Sequence, residues 1–239
     1  MPWERAFIFM DYRAIISIAV MAMVVIWFFA KNTSKKHIIS TKFITRSAVF
    51  AAISIIRYIV PYFNIALPIF PAFLKIHIDE VPVFIAGFAY GPWSAVFILI
   101  VKTLAKLPMT STGGVGELAD LIYSTAFIIP AAIIYKKHKT IKGALVSLGI
   151  GTVCQLIVSC FVTTFLILRF YIFVMGMSEG MILGMCQAIN PHITNLQFPF
   201  MFLVALPFNA LKDVVVIIIT ILLYKRLHRF IDRLGQEKN

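Results

Sequence analysis

The segment Pro207-Phe208-Asn209-Ala210-Leu211-Lys212-Asp213 brings an amide, an ammonium group and a carboxylate into less than two helical turns. Asn209 and Lys212 are three apart, and Asn209 and Asp213 are four apart, so a helix carries each pair on a shared face. Two chemistries fit. One is recognition of a polar ligand by hydrogen bonds, with the charge of Lys212 orienting it. The other is an ion pair between Lys212 and a carboxylate of another helix. Pro207 lacks the N–H that would bond the carbonyl of Leu203, which leaves that acceptor free for a ligand or neighbour.

A second polar set lies between Phe73 and Asp120. It comprises Asp79, Glu80, Glu117 and Asp120, four of the ten acidic residues. Asp79 and Glu80 are expected to cap a helix. Glu117 and Asp120 stand three apart at a helix start, where carboxylates offset the dipole, and Glu117 is also a binding candidate. Gly113, Gly114 and Gly116 permit a tight loop whose amides can meet a ligand. Lys102 and Lys106, four apart near a helix end, are expected to snorkel. A metal-dependent intramembrane enzyme built on the four carboxylates is the alternative from another class. It lacks support from motifs: no HExxH, GxSxG or GxxxxGK[ST] is present, and the five histidines are scattered. Cys154, Cys160 and Cys186 show no CxxC spacing and read as structural thiols.

The elements that position these residues must be membrane helices. Of the 239 residues 61% are hydrophobic and 13% charged, against about a quarter charged in a soluble domain. Several uncharged runs approach the roughly 20 residues that cross a hydrocarbon core. The net charge of +12 sits in short segments between those runs, the pattern of cytoplasmic loops facing anionic lipid rather than of a nucleic-acid site.

Taken in order, Ala14–Ala30 is a retained N-terminal helix, followed by a basic linker through residue 40. Core helices are expected at Ser47–Tyr62, from Asp79 to Gly91-Pro92, at Trp93–Leu107, at Glu117–Tyr135 with a kink at Pro130, at Gly143–Tyr171 and at Pro199–Tyr224. Irregular segments fill 63–78, 107–116 and 173–198. The six crossings put three basic segments on one face, before the first, between the fourth and fifth, and after the sixth. These hold 14 of the 22 Lys and Arg residues, which assigns that face to the cytoplasm and the three irregular segments to the outside. The expected organisation is a linker region 1–40, a six-helix domain 41–230 and a cytoplasmic tail 231–239.

Five ordered blocks, LKIHIDEVPVFIAGFAYGP, TSTGGVGELAD, KGALVSLGIGT, INPHITNL and PFNALKD, resemble the substrate-binding S component of energy-coupling factor (ECF) vitamin transporters, nearest the riboflavin-type branch. The resemblance covers about Thr41 to Arg229. It implies an all-α integral membrane protein of the cell membrane: a six-helix S-component core, here with one extra N-terminal transmembrane helix. It implies no catalytic activity and no cofactor. The partners it implies are a water-soluble vitamin, riboflavin first and pantothenate or another vitamin second, a transmembrane coupling protein and two ATPase subunits. The AxxxA pattern of the family maps onto Ala48 and Ala52 as the coupling-protein contact. The PFNxxK pattern maps onto Asn209 and Lys212 as ligand contacts. Thr163 falls where the branch often has asparagine, and Asp213 where glycine is common; both join Glu117 as candidate substrate contacts.

Overall fold

The computed structural model describes residues 40–236 except 61, 63, 64, 72, 73, 111, 112 and 174, with side chains from residue 227 onward left aside. The N-terminal helix expected at Ala14–Ala30 lies outside the described residues. Within them are seven α-helices and one two-stranded hairpin. These are α1 (Thr41–Ile59), β1 (Ile65–Ala66), β2 (Lys75–Ile76), α2 (Glu80–Tyr90), α3 (Pro92–Lys106), α4 (Val115–Lys137), α5 (Ile141–Phe173), α6 (Glu179–Gln187) and α7, which starts at Phe198 and continues to Gln236. Six of the helices fall where core helices were expected, the first starting six residues earlier, at Thr41. The seventh, α6, is a correction: residues 173–198 were expected to be irregular throughout. Ser178 caps α6, accepting from the amide of Met181 at 3.1 Å, and Ile182 and Cys186, four apart, bury one face of it. The segment 63–78 is likewise not wholly irregular, because Ile65 pairs with Ile76 and Ala66 with Lys75.

Four helices, α3, α4, α5 and α7, are long and apolar enough to cross a membrane, and α2 is a shorter apolar helix. Their outward surfaces carry large apolar side chains such as Val146, Val153 and Ile157 on α5 and Val214, Ile218 and Leu222 on α7. A continuous apolar surface of this kind belongs against hydrocarbon rather than water.

Local sequence explains the joints. Gly91 ends α2 at φ +93°, a conformation that favours glycine, and Pro92 starts α3 at the position where a missing N–H costs nothing. In α5, a Cβ placed on Gly151 would lie 2.3 Å from the carbonyl oxygen of Phe127, so glycine sets the close approach of α5 to α4. Both α5 and α7 widen into π-type turns, at Thr163–Ile167 and Met201–Ala205. The second of these ends two residues before Pro207, whose missing N–H interrupts the regular ladder.

The core divides by height. Toward the end that carries Lys136 and Lys137 it is aromatic. Phe88 packs on Tyr135 with ring centroids 4.3 Å apart, Phe84 meets Phe127 at 4.7 Å, and the hydroxyls of Tyr135 and Tyr224 bond at 2.8 Å. Toward the opposite end, beneath the hairpin, it becomes polar.

Candidate functional site

Asp79 and Glu80 enter the core at the start of α2, and both are fully buried. The cap expected of Asp79 is not formed by its side chain. Its carboxylate instead pairs with Lys102 of α3, whose ammonium group also lies 3.0 Å from Asp120 of α4. Lys102 therefore does not snorkel, a further correction. It is wholly buried and sits 4.9 Å from the centre of the Tyr58 ring. Its position four residues before the end of α3 leaves about 6 Å to the helix terminus, within reach of water. Two carboxylates inside the bundle hold it there.

Lys212 of α7 lies 2.9 Å from Glu80 and 3.8 Å from Asp120. The hydroxyl of Ser124 donates to the same Glu80 oxygen at 2.7 Å. Asp120 thus stands between two lysines, and the chain Asp79–Lys102–Asp120–Lys212–Glu80 joins four helices. Desolvating such charges is costly, and only close opposite partners and further hydrogen bonds offset it.

Around this chain lie three smaller polar groups. Gln155, buried in α5, donates to the side-chain oxygen of Asn209 at 3.2 Å, and Asn209 donates in turn to the carbonyl of Ala205 at 2.8 Å. Thr163 and Tyr123 share a hydroxyl bond of 2.8 Å. Glu117 accepts from Thr110 at 2.7 Å, and Thr110 accepts from the amide of Gly114 at 3.0 Å. The glycine loop is therefore tied to Glu117 through one threonine. Asp213 is fully buried, and neither of its oxygens has a hydrogen-bond partner among the described residues.

Of the residues singled out in the sequence, Asn209, Lys212 and Asp213 share α7, with Lys212 in the ion-pair chain. Thr163 and Glu117 bond to Tyr123 and Thr110 on either side of it. Ala48 and Ala52 both lie on the exposed face of α1, beside Ile44, Val49 and Ile53. The sequence reading missed Gln155, Tyr123 and Ser124. Gln155 had a usable signal, as an amide inside a long uncharged run. Among the described residues no three of His, Cys, Asp and Glu come together as metal ligands, since Asp79, Glu80 and Asp120 face lysines instead.

A cavity of about 490 Å³ lies between the hairpin segment at Pro68–Pro71, the α6 region at Cys186 and Ile193, and Leu203 and Val204 of α7. Its size suits a small organic molecule. Phe70, on its wall, meets Phe208 edge to face at 5.2 Å, and Phe208 adjoins Asn209. The ring pair links the cavity wall to the residue beside Asn209.

Comparison with known proteins agrees with this architecture. The family described as "ECF transporter, substrate-specific component" matches residues 42–225. The chain is 28% identical over 182 residues to the riboflavin transporter RibU of Staphylococcus aureus, covering 76% of this chain and 89% of that one. It is also 28% identical to the riboflavin transporter FmnP of Bacillus subtilis over 193 residues, 80% of this chain and 95% of the relative. RibU of Streptococcus thermophilus is 23% identical over 220 residues, 89% of this chain and 92% of that one. A solved structure described as the S component of a bacterial ECF transporter superposes with a TM-score of 0.61 at 25% identity, covering 79% of this chain and 96% of the other.

Proposed function

This chain belongs to the family of ECF transporter substrate-specific components, and on that premise we propose that it is the riboflavin-binding subunit of such a transporter in the cell membrane. The family is a transporter component and not an enzyme. The observation that carries the choice of vitamin is the agreement with three riboflavin transporters over 76% to 89% of this chain. The site chemistry is compatible with it. A cavity of mixed polar and apolar lining and a set of buried amide, hydroxyl and carboxylate groups are linked through Phe70, Phe208 and Asn209, which suits a flat ring system bearing a polyhydroxylated chain.

In this reading the vitamin enters from the side of the hairpin and the Pro108–Gly116 loop. Asn209, Lys212, Thr163, Glu117 and Asp213 supply its polar contacts. An ammonium group has three donors; Glu80 and Asp120 face Lys212, and the remaining hydrogen is the one offered to ligand. Inward release is driven by two ATPase subunits acting through a transmembrane coupling protein, which meets α1 at Ala48 and Ala52. Protein purified in detergent should carry or acquire flavin absorbance and quench riboflavin fluorescence on titration. A colourless preparation that leaves riboflavin fluorescence unchanged refutes the assignment.

A further inference from the structure

Five cations converge at one edge of the basic end. Tyr135 of α4 and Tyr224 of α7 bond through their hydroxyls at 2.8 Å, which sets Lys136 and Lys137 level with Lys225 and Arg226. The turn into α5 is tight, since a Cβ on Gly143 would run into the carbonyl oxygen of His138, and it returns Lys142 to the same level. Helix α5 packs on α7 in turn, where Gln155 bonds Asn209. All five cations are exposed, and none pairs with a carboxylate among the described residues. The described carboxylates lie elsewhere: five are buried inside the bundle, and Glu179 opens α6.

These charges head two apolar rows. On α7, Val214, Ile218 and Leu222 are exposed at four-residue intervals, and Arg226 takes the next position. On α5, Val146 and Ile150 repeat the interval from Lys142, and Val153 continues the row. Residues four apart share a helix face, so on two packed helices an exposed apolar row ends on a cation at the same end of the bundle. That arrangement is the complement of a phospholipid, with acyl chains along the rows and a phosphate at the charges, which long basic side chains bring to headgroup depth. A zwitterionic headgroup carries a cation that five unneutralised charges repel, whereas an anionic headgroup is attracted as a whole. We propose that Lys142, Arg226 and the neighbouring Lys136, Lys137 and Lys225 form a seat for one anionic phospholipid lying across α5 and α7. A seat differs from the general attraction of a basic face to anionic lipid, because headgroup and chains are held together at one place. It is independent of which vitamin the chain binds.

The test titrates the delipidated full-length chain in detergent with phosphatidylglycerol or phosphatidylcholine and reads the lipid concentration that gives half the maximal rise in Tm. Phosphatidylglycerol is expected to act saturably, at a concentration at least about tenfold below that of phosphatidylcholine. Lys142→Gln and Arg226→Gln should each raise the phosphatidylglycerol midpoint by about fivefold. Lys42→Gln removes the same charge from exposed α1, which packs on α2 and α3 instead, and should raise it by less than about twofold. Lys136→Gln stands in for either seat variant that melts below the wild type before lipid is added. Equal response to the two lipids, or no saturation, overturns the seat. An equal effect of Lys42→Gln also overturns it and leaves only a diffuse basic face. Stabilisation by polyglutamate but not by phosphatidylglycerol would assign the charges to an acidic protein and overturn the lipid.

Discussion

Lys212 Nζ stands 2.9 Å from Glu80 Oε1, so a lysine of α7 is tied to the first turn of α2 across 132 positions of sequence. Glu80 follows directly on the hairpin segment, and the pair therefore anchors the inner end of the outer loop to the helix that carries Asn209. Replacing Lys212 by Met leaves Glu80 buried with only Ser124 as donor and is expected to cost about 3–5 kcal/mol. The double variant with Glu80→Gln should recover most of that loss. Thermal melts in detergent decide it, and equal Tm values for single and double variants would refute the coupling. In the proposed function, Lys212→Ala also weakens riboflavin binding, measured by quenching on the fraction that remains folded.

Lys102 and Lys106 offer an internal comparison. Lys102→Met strips Asp79 of its cation and leaves Asp120 with Lys212 alone, and should lower stability by about 3–5 kcal/mol. Lys106, partly exposed, should cost less than about 1 kcal/mol when replaced by Met. Similar melting temperatures for the two variants would show that Lys102 does reach water.

Gly151 and Gly149 stand two positions apart with opposite surroundings. A Cβ on Gly151 meets the Phe127 carbonyl, whereas one on Gly149 meets nothing within 4 Å. Gly151→Ala should push α5 from α4 and reduce both folded yield and Tm. Gly149→Ala should be neutral or raise stability by up to about 1 kcal/mol, because alanine suits a helix better. Equal behaviour of the two in size-exclusion profiles and melts would count against the close packing.

Ala48 and Ala52 are exposed and four apart on α1. In the proposed function, leucine at both positions should leave riboflavin binding by the isolated chain unchanged and abolish its co-purification with a transmembrane coupling protein. Retained co-purification would move the contact to another face.

His77, beside β2, packs its ring on Tyr58 with centroids 5.7 Å apart. Burial lowers its pKa; Asp79 and Asp120 oppose that shift, and Lys212 and Lys102 add to it. A base whose pKa is lower folded than unfolded takes up its proton more readily in the unfolded chain. Its contribution is therefore intact above about pH 6.5 and lost as pH falls below it. Melting temperatures followed from about pH 8 to pH 5 should drop more steeply for the wild-type chain than for His77→Gln. Parallel curves would remove His77 from the account.

Much of this fold could be read from residue types alone. Hydrophobic runs and the placement of Lys and Arg located six of the helices and put the loops at 63–78, 107–116 and 173–198 at one end. Helix α6 escaped because its buried face is short, Ile182 and Cys186 only, and its glycines resemble turn residues. The site was half legible. Asn209 and Lys212 stood out because polar groups inside an apolar helix need a reason. Lys102 was misread because helix position alone allows it to reach water, and what holds it inside are Asp79 and Asp120, 23 and 18 positions away. Pairing at such distances depends on how helices pack, which local spacing does not encode. Gln155 is the same case, as its partner Asn209 is 54 positions on.

The aromatic packing of Phe88, Tyr135 and Tyr224 at the basic end bears on leakage. The rings are in contact and the two tyrosine hydroxyls bond each other, so among the described residues this part of the core offers water no polar side chain to follow. Packing of this kind acts as a plug, and opening it to water would first require these rings to separate.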